Sequence, residues 1–124
     1  MADVSVDQDL KKAFQELQGK VMETRQKLKF SDIQIEGQKQ AIRRAQLTQQ
    51  ELESLPDGTP VYEAVGRMFI KQPISDCISD LSDRMKVSKE KIESLENNKK
   101  YLERNLKDSE NNLRELIMSK REAR

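Results

Sequence analysis

A single thiol, Cys77, stands in a 124-residue chain that contains no histidine and no tryptophan. Without histidine no imidazole base can be built, and one cysteine cannot supply the nitrogen and sulfur ligands of a zinc site. Cys77 adjoins Ile78, and no neighbouring cation would favour its thiolate, so it reads as a small apolar packing residue. The carboxylates Asp80, Asp83, Glu90, Glu93 and Glu96 alternate with lysines and read as solvated helix faces, not as metal ligands. Glycines 19, 37, 58 and 66 are scattered, so no phosphate-cradling loop is present. Neither a catalytic residue nor a cofactor or metal site is expected, and the chain does not read as an enzyme.

Composition points to an elongated helical build. Charged residues make up 36% of the chain and hydrophobic ones 35%, with 4% aromatic. A compact domain has about 45–50% apolar and about 25% charged residues. Lys+Arg 23 against Asp+Glu 22 leaves a net charge of +1, unlike the strong imbalance of a disordered chain. A coiled-coil seam needs only two apolar positions in seven, which this composition can supply. Arg43-Arg44 is only a pair, and Lys120-Arg121-Glu122-Ala123-Arg124 is interrupted by glutamate, so neither predicts a nucleic-acid surface. The opening Met-Ala-Asp-Val-Ser-Val-Asp-Gln-Asp-Leu is acidic where a secretory leader is basic and then apolar. With no membrane-spanning apolar run, a soluble intracellular protein is expected.

Three segments follow from periodicity. Over about residues 8–47, Leu10, Phe14, Leu17, Val21, Thr24, Leu28, Ser31, Ile35, Gln38, Ile42 and Ala45 recur at gaps alternating between four and three. Over residues 74–122, Ile78, Leu81, Met85, Ser88, Ile92, Leu95, Lys99, Leu102, Leu106, Ser109, Leu113 and Leu116 do the same. Both are heptad seams. Pro73 precedes the second helix, with Ser75 or Asp76 as its expected cap. Between them, Thr48-Gln49-Gln50-Glu51 matches a capping box and predicts a short helix that Leu55-Pro56-Asp57-Gly58 stops. Residues 59–73 carry Tyr62, Phe69, valines and Ile70 between prolines, and predict a β-hairpin turning near Val65 to Arg67.

Parallel helices would require the middle segment to stretch back over about 60 Å, so the helices are expected to be antiparallel. The expected fold is mainly α: an antiparallel two-helix coiled coil with one β-hairpin between its helices, within a single unit spanning 1–124. Laying the seams together pairs Ala45 with Ile78, Leu28 with Leu95, Thr24 with Lys99, Leu17 with Leu106, Phe14 with Ser109 and Leu10 with Leu113; a shift by one heptad is the alternative. In that register Leu116, Ile117 and Met118 outrun the partner helix. They are expected to be exposed near Val4 and Val6, either as a frayed end with scattered apolar residues or as a flexible patch that holds other apolar surfaces. An isolated two-stranded hairpin is marginal in water, so this one is expected to find further strands on other chains.

The order coil, single hairpin, coil, with Glu51-Leu52, Leu55-Pro56-Asp57 and Tyr62-Glu63-Ala64-Val65-Gly66-Arg67-Met68-Phe69-Ile70, resembles the β-type subunits of prefoldin. Leu10 to Gln18, Asp32 to Glu36 and Tyr101 to Arg104 are similar to the eukaryotic branch of that family. The resemblance implies a cytoplasmic, ATP-independent co-chaperone: a heterohexamer of two α-type and four β-type subunits. Its arm tips hold unfolded proteins such as actin and tubulin and deliver them to the cytosolic chaperonin. It would place Val61, Tyr62, Val65, Gly66, Met68, Phe69 and Ile70 in the assembly region. Val4, Val6, Leu10, Leu113, Leu116, Ile117 and Met118 would lie at the client-holding tip. A coiled-coil scaffold or tether without chaperone activity is the alternative; it accounts for the heptads and gives the hairpin no purpose.

Overall fold

The computed structural model describes residues 2–122, and side-chain surroundings for residues 8–119. Helix α1 spans Ala2–Glu53, strands β1 and β2 span Val61–Val65 and Met68–Gln72, and helix α2 spans Ile74–Glu122. The fold is mainly α, with one antiparallel hairpin between two long helices.

Helix α1 passes through Thr48 without a break, so the expected capping box does not open a new helix. The Thr48 hydroxyl donates instead to the Arg44 carbonyl one turn back, at 2.9 Å. Good helix formers on both sides of Thr48 (Leu47, Gln49, Gln50, Glu51) carry the helix onward. The stop comes where expected, because the residue before Pro56 disfavours helical backbone. A turn follows, closed by Thr59 N–H donating to the Pro56 carbonyl at 3.2 Å, with Gly58 at φ 82. Helix α2 begins after Pro73, whose carbonyl accepts from Asp76 and Cys77 N–H at 3.1 Å each. Pro73 therefore occupies the cap position expected for Ser75 or Asp76; Asp76 lies in the first turn, where its charge favours the helix dipole.

The hairpin register is Val61↔Gln72, Tyr62↔Lys71, Glu63↔Ile70, Ala64↔Phe69 and Val65↔Met68, leaving Gly66-Arg67 as a two-residue loop. Gly66 has φ 62, and no described non-glycine residue has positive φ. Positive φ at the first central position alone defines a type II′ turn, whose twist matches that of the flanking strands.

The chain divides into two compact units: residues 34–94, and residues 1–33 with 95–124. Throughout both helices every expected seam position is buried or half-buried, and the seam continues through Gln49 and Leu52. Val21, Ser31 and Ile35 are the most buried among the described residues.

The helix register differs from the pairing favoured by the sequence. Within residues 34–94, the Gln49 side-chain amide donates to the Ile78 carbonyl at 3.2 Å and to the Ser82 hydroxyl at 2.7 Å. Pairing Ala45 with Ile78 would carry Gln49 about 12 Å along the axis from Ser82, beyond its reach. In the other unit, Asp32 meets Lys99 at 2.7 Å and Arg25 meets Glu110 at 2.9 Å. These links fit the alternative, one heptad along: Ala45 is level with Met85, Ser31 with Lys99, Leu28 with Leu102, Leu17 with Leu113 and Phe14 with Leu116.

Candidate interaction surfaces

Strand alternation divides the hairpin into two faces. Val61, Glu63 and Gln72 lie on the face turned toward the helices and are half-buried. They border a cleft of about 270 Å³ also lined by Leu52, Cys77 and Leu81. Arg84 on α2 reaches Glu63 at 3.4 Å and ties β1 to the coil. Farther out on the same face, Val65, Met68 and Ile70 are exposed. The opposite face carries Tyr62 at 58% exposure and Phe69 at 74%. Among the described residues the sheet has two strands, so the outer edge of each has no described strand beside it. An open apolar face joined to two unpaired edges is the signature of strands that are completed by other chains. Of the seven residues expected in the assembly region, the structure thus brings all onto one small hairpin, with Val61 turned inward and Gly66 in the turn.

Cys77 donates a hydrogen bond to the Gln72 side-chain oxygen at 3.5 Å. Burial first, and then the carboxylates of Glu63, Asp80 and Asp76, push its thiol above the ordinary value. The group stays protonated at neutral pH, as befits a packing residue and not a nucleophile.

In the unit formed by residues 1–33 and 95–124, Leu10, Leu113 and Leu116 are half-buried, whereas Ile117 is 40% and Met118 64% exposed. The one-heptad shift explains the difference from the sequence reading. With Phe14 level with Leu116, the seam shelters Leu116, and only the two residues after it point away. The side chains of Val4 and Val6 lie outside the described residues.

Four side chains off the seam are exposed as well: Met22, Phe30 and Ile33 on α1 and Tyr101 on α2 are each about 60% exposed, on the outer positions of their heptads. Their signal in the sequence is apolar or aromatic type out of phase with the seam.

Lys99 occupies a seam position, where an ammonium group is costly unless paired. Its hydrogen bond to Asp32 and that carboxylate's charge push its pKa above the ordinary value, helped by Glu103 and Glu96 and opposed by burial. The charged form is thus the one held in the fold. Its contribution is present below the ordinary lysine range and is lost only as strongly alkaline pH passes the raised value.

Two antiparallel helices carrying one hairpin, open on an apolar face and at both edges, define a coiled-coil subunit built for assembly. The family model described as "Prefoldin subunit" matches residues 15–120. Prefoldin subunit 1 of Mus musculus is 50% identical over 94% of this chain and 96% of its own length, and that of Homo sapiens 49% identical over 94% and 95%. The probable prefoldin subunit 1 of Caenorhabditis elegans is 39% identical over 93% of this chain and 98% of its own. Among solved structures, the prefoldin beta subunit from Thermococcus strain KS-1 superposes with a TM-score of 0.76 over 83% of this chain and 90% of that one; at 23% identity this is a likeness of fold. The chain belongs to the prefoldin subunit family: it is a co-chaperone subunit with the single hairpin of the β type. Among the described residues no helix is long and apolar enough to cross a membrane.

Proposed function

We propose that this chain is one of four β-type subunits that join two α-type subunits in a cytoplasmic heterohexamer. The complex holds non-native proteins such as actin and tubulin at its arm tips and passes them to the cytosolic chaperonin without hydrolysing ATP. The observation that carries this reading is the hairpin: Phe69 is 74% exposed on a strand that has a partner on one side only. Neighbouring hairpins would complete the sheet, bury Tyr62, Met68, Phe69 and Ile70, and fix the coils as arms on a common body. Each arm end offers little apolar surface, Ile117 and Met118 foremost, so holding a client depends on several arms acting together through effective concentration. Methionine suits such a surface because its flexible thioether adapts to varied partners.

The test uses the assembled complex and chemically unfolded actin. Ile117→Ser with Met118→Ser should leave the mass of the complex unchanged and raise the amount needed for half-suppression of aggregation by about twofold to fivefold, a modest loss because the other arms remain. Undiminished suppression would place client contact away from these two residues.

A further inference from the structure

Apolar matching does not select the helix register of the unit formed by residues 1–33 and 95–124. The observed register stacks wholly apolar layers at Leu28–Leu102, Leu17–Leu113 and Phe14–Leu116. The register one heptad away would stack Leu28–Leu95, Val21–Leu102, Leu17–Leu106 and Leu10–Leu113. Apolar layers alone therefore do not choose between the two, so something else holds the observed one.

The charged groups differ sharply between the two. In the observed register Lys99 is level with Ser31, and its ammonium reaches Asp32 at 2.7 Å. Arg25 reaches Glu110 at 2.9 Å on the same flank. A slip of one heptad displaces one helix by about 10 Å along the other. Lys99 would then lie beside Thr24, flanked by Lys20, Arg25 and Lys27 with Glu23 the carboxylate of that turn, and Asp32 would be out of reach; Arg25 would exchange Glu110 for Glu103, so it does not distinguish the registers. An ammonium at a seam position that loses its hydrogen-bonded carboxylate and meets Arg25 instead is disfavoured by desolvation and by repulsion. Single polar residues at seam positions are known to specify register at a cost in stability.

We infer that the Lys99–Asp32 pair is the register key of this arm, holding the helices in one of two alignments that their apolar residues leave open. The key has a consequence for the arm end. In the observed register Phe14 shelters Leu116, whereas the slipped register leaves Leu116 without a partner and pairs Leu10 with Leu113. Lys99 and Asp32 therefore set, from about 25 Å away, how much apolar surface is presented there. The consequence for client holding rests on the function proposed above; the register itself does not.

The experiment uses the full chain with Cys77→Ser and two cysteine pairs sharing one position, Leu28→Cys with Leu102→Cys and Leu28→Cys with Leu95→Cys, compared by the rate of disulfide formation under a glutathione couple. With Lys99 and Asp32 intact the Leu102 pair should close at least tenfold faster. Lys99→Leu and Asp32→Asn should each narrow that preference at least severalfold, while Asp32→Glu should keep it. Helix content by circular dichroism shows that each variant is folded; should Lys99→Leu unfold, the Asp32→Asn and Asp32→Glu comparison decides the matter. An unchanged preference for the Leu102 pair in both Lys99→Leu and Asp32→Asn overturns the proposal. Because the readout is a covalent bond within the chain, it stands or falls independently of any client assay.

Discussion

Phe69→Asp should leave both helices folded and abolish incorporation of the chain into its complex. In the separate chain Phe69 is 74% exposed, so its replacement removes almost no packing there. In the assembly the ring would lie beneath neighbouring strands. Burying a phenylalanine side chain contributes about 1.5–3 kcal/mol, and placing an unpaired carboxylate in the same site adds a penalty of at least similar size. A loss of about 3 kcal/mol or more lowers association over a hundredfold. Phe69→Ala, which forfeits only the first part, should weaken incorporation without abolishing it. Both are read by co-purification with the partner subunits, alongside circular dichroism of the isolated chain. Normal incorporation of the aspartate variant would put Phe69 outside the assembly surface.

The second large effect is expected at Gly66. Its φ of 62 lies in the left-handed region, and a Cβ built there meets nothing within 4 Å, so any penalty is backbone strain and not collision. An ordinary L-residue pays about 1–2 kcal/mol for that conformation, and a β-branched one is a pronounced outlier. Gly66→Val should therefore open the type II′ turn, splay β1 from β2 and reduce assembly by at least tenfold, while Gly66→Asn should be tolerated far better. Gly37→Ala supplies the contrast. It sits in helix α1, also with open space around its Cβ position, and has ordinary helical backbone. It should raise thermal stability, since alanine is favoured over glycine in a helix by about 1 kcal/mol. Equal behaviour of Gly66→Val and Gly66→Asn in assembly would remove the turn from the account.

The parts of this fold that were legible in the sequence are those governed by period and punctuation. Seam residues from Leu10 to Ala45 and from Ile78 to Leu116 are inward-facing because a heptad repeat on a long helix leaves them no other place. Pro56 and Pro73 end and begin helices because their rings forbid the alternatives. The register was less legible, since leucines pair with leucines in either of two alignments one heptad apart, and the choice falls to Lys99, Asp32, Gln49 and Ser82 acting between helices. Thr48 misled for a related reason. Its spacing to Glu51 is that of a capping box, yet a threonine hydroxyl can equally bond the carbonyl one turn back, and the strong helix formers around it decide the outcome. The hairpin was legible because an apolar and aromatic run between prolines reads as strands, and Tyr62, Val65, Met68, Phe69 and Ile70 are exposed on it; that other chains cover them belongs to the function proposed above. Leu116 reads as unpartnered in the sequence only because the seams alone do not fix the register, and the outer-face residues Met22, Phe30 and Ile33 fall outside the positions that the heptad period marks.

On the function proposed above, the open hairpin face of this chain is covered by other subunits. That is checked by mass measurement of the intact native complex after co-expression with α-type and β-type partner subunits. A complex of six subunits that includes this chain, with little of it free, is expected. A chain that remains a self-contained monomer or homodimer in the presence of those partners would contradict it.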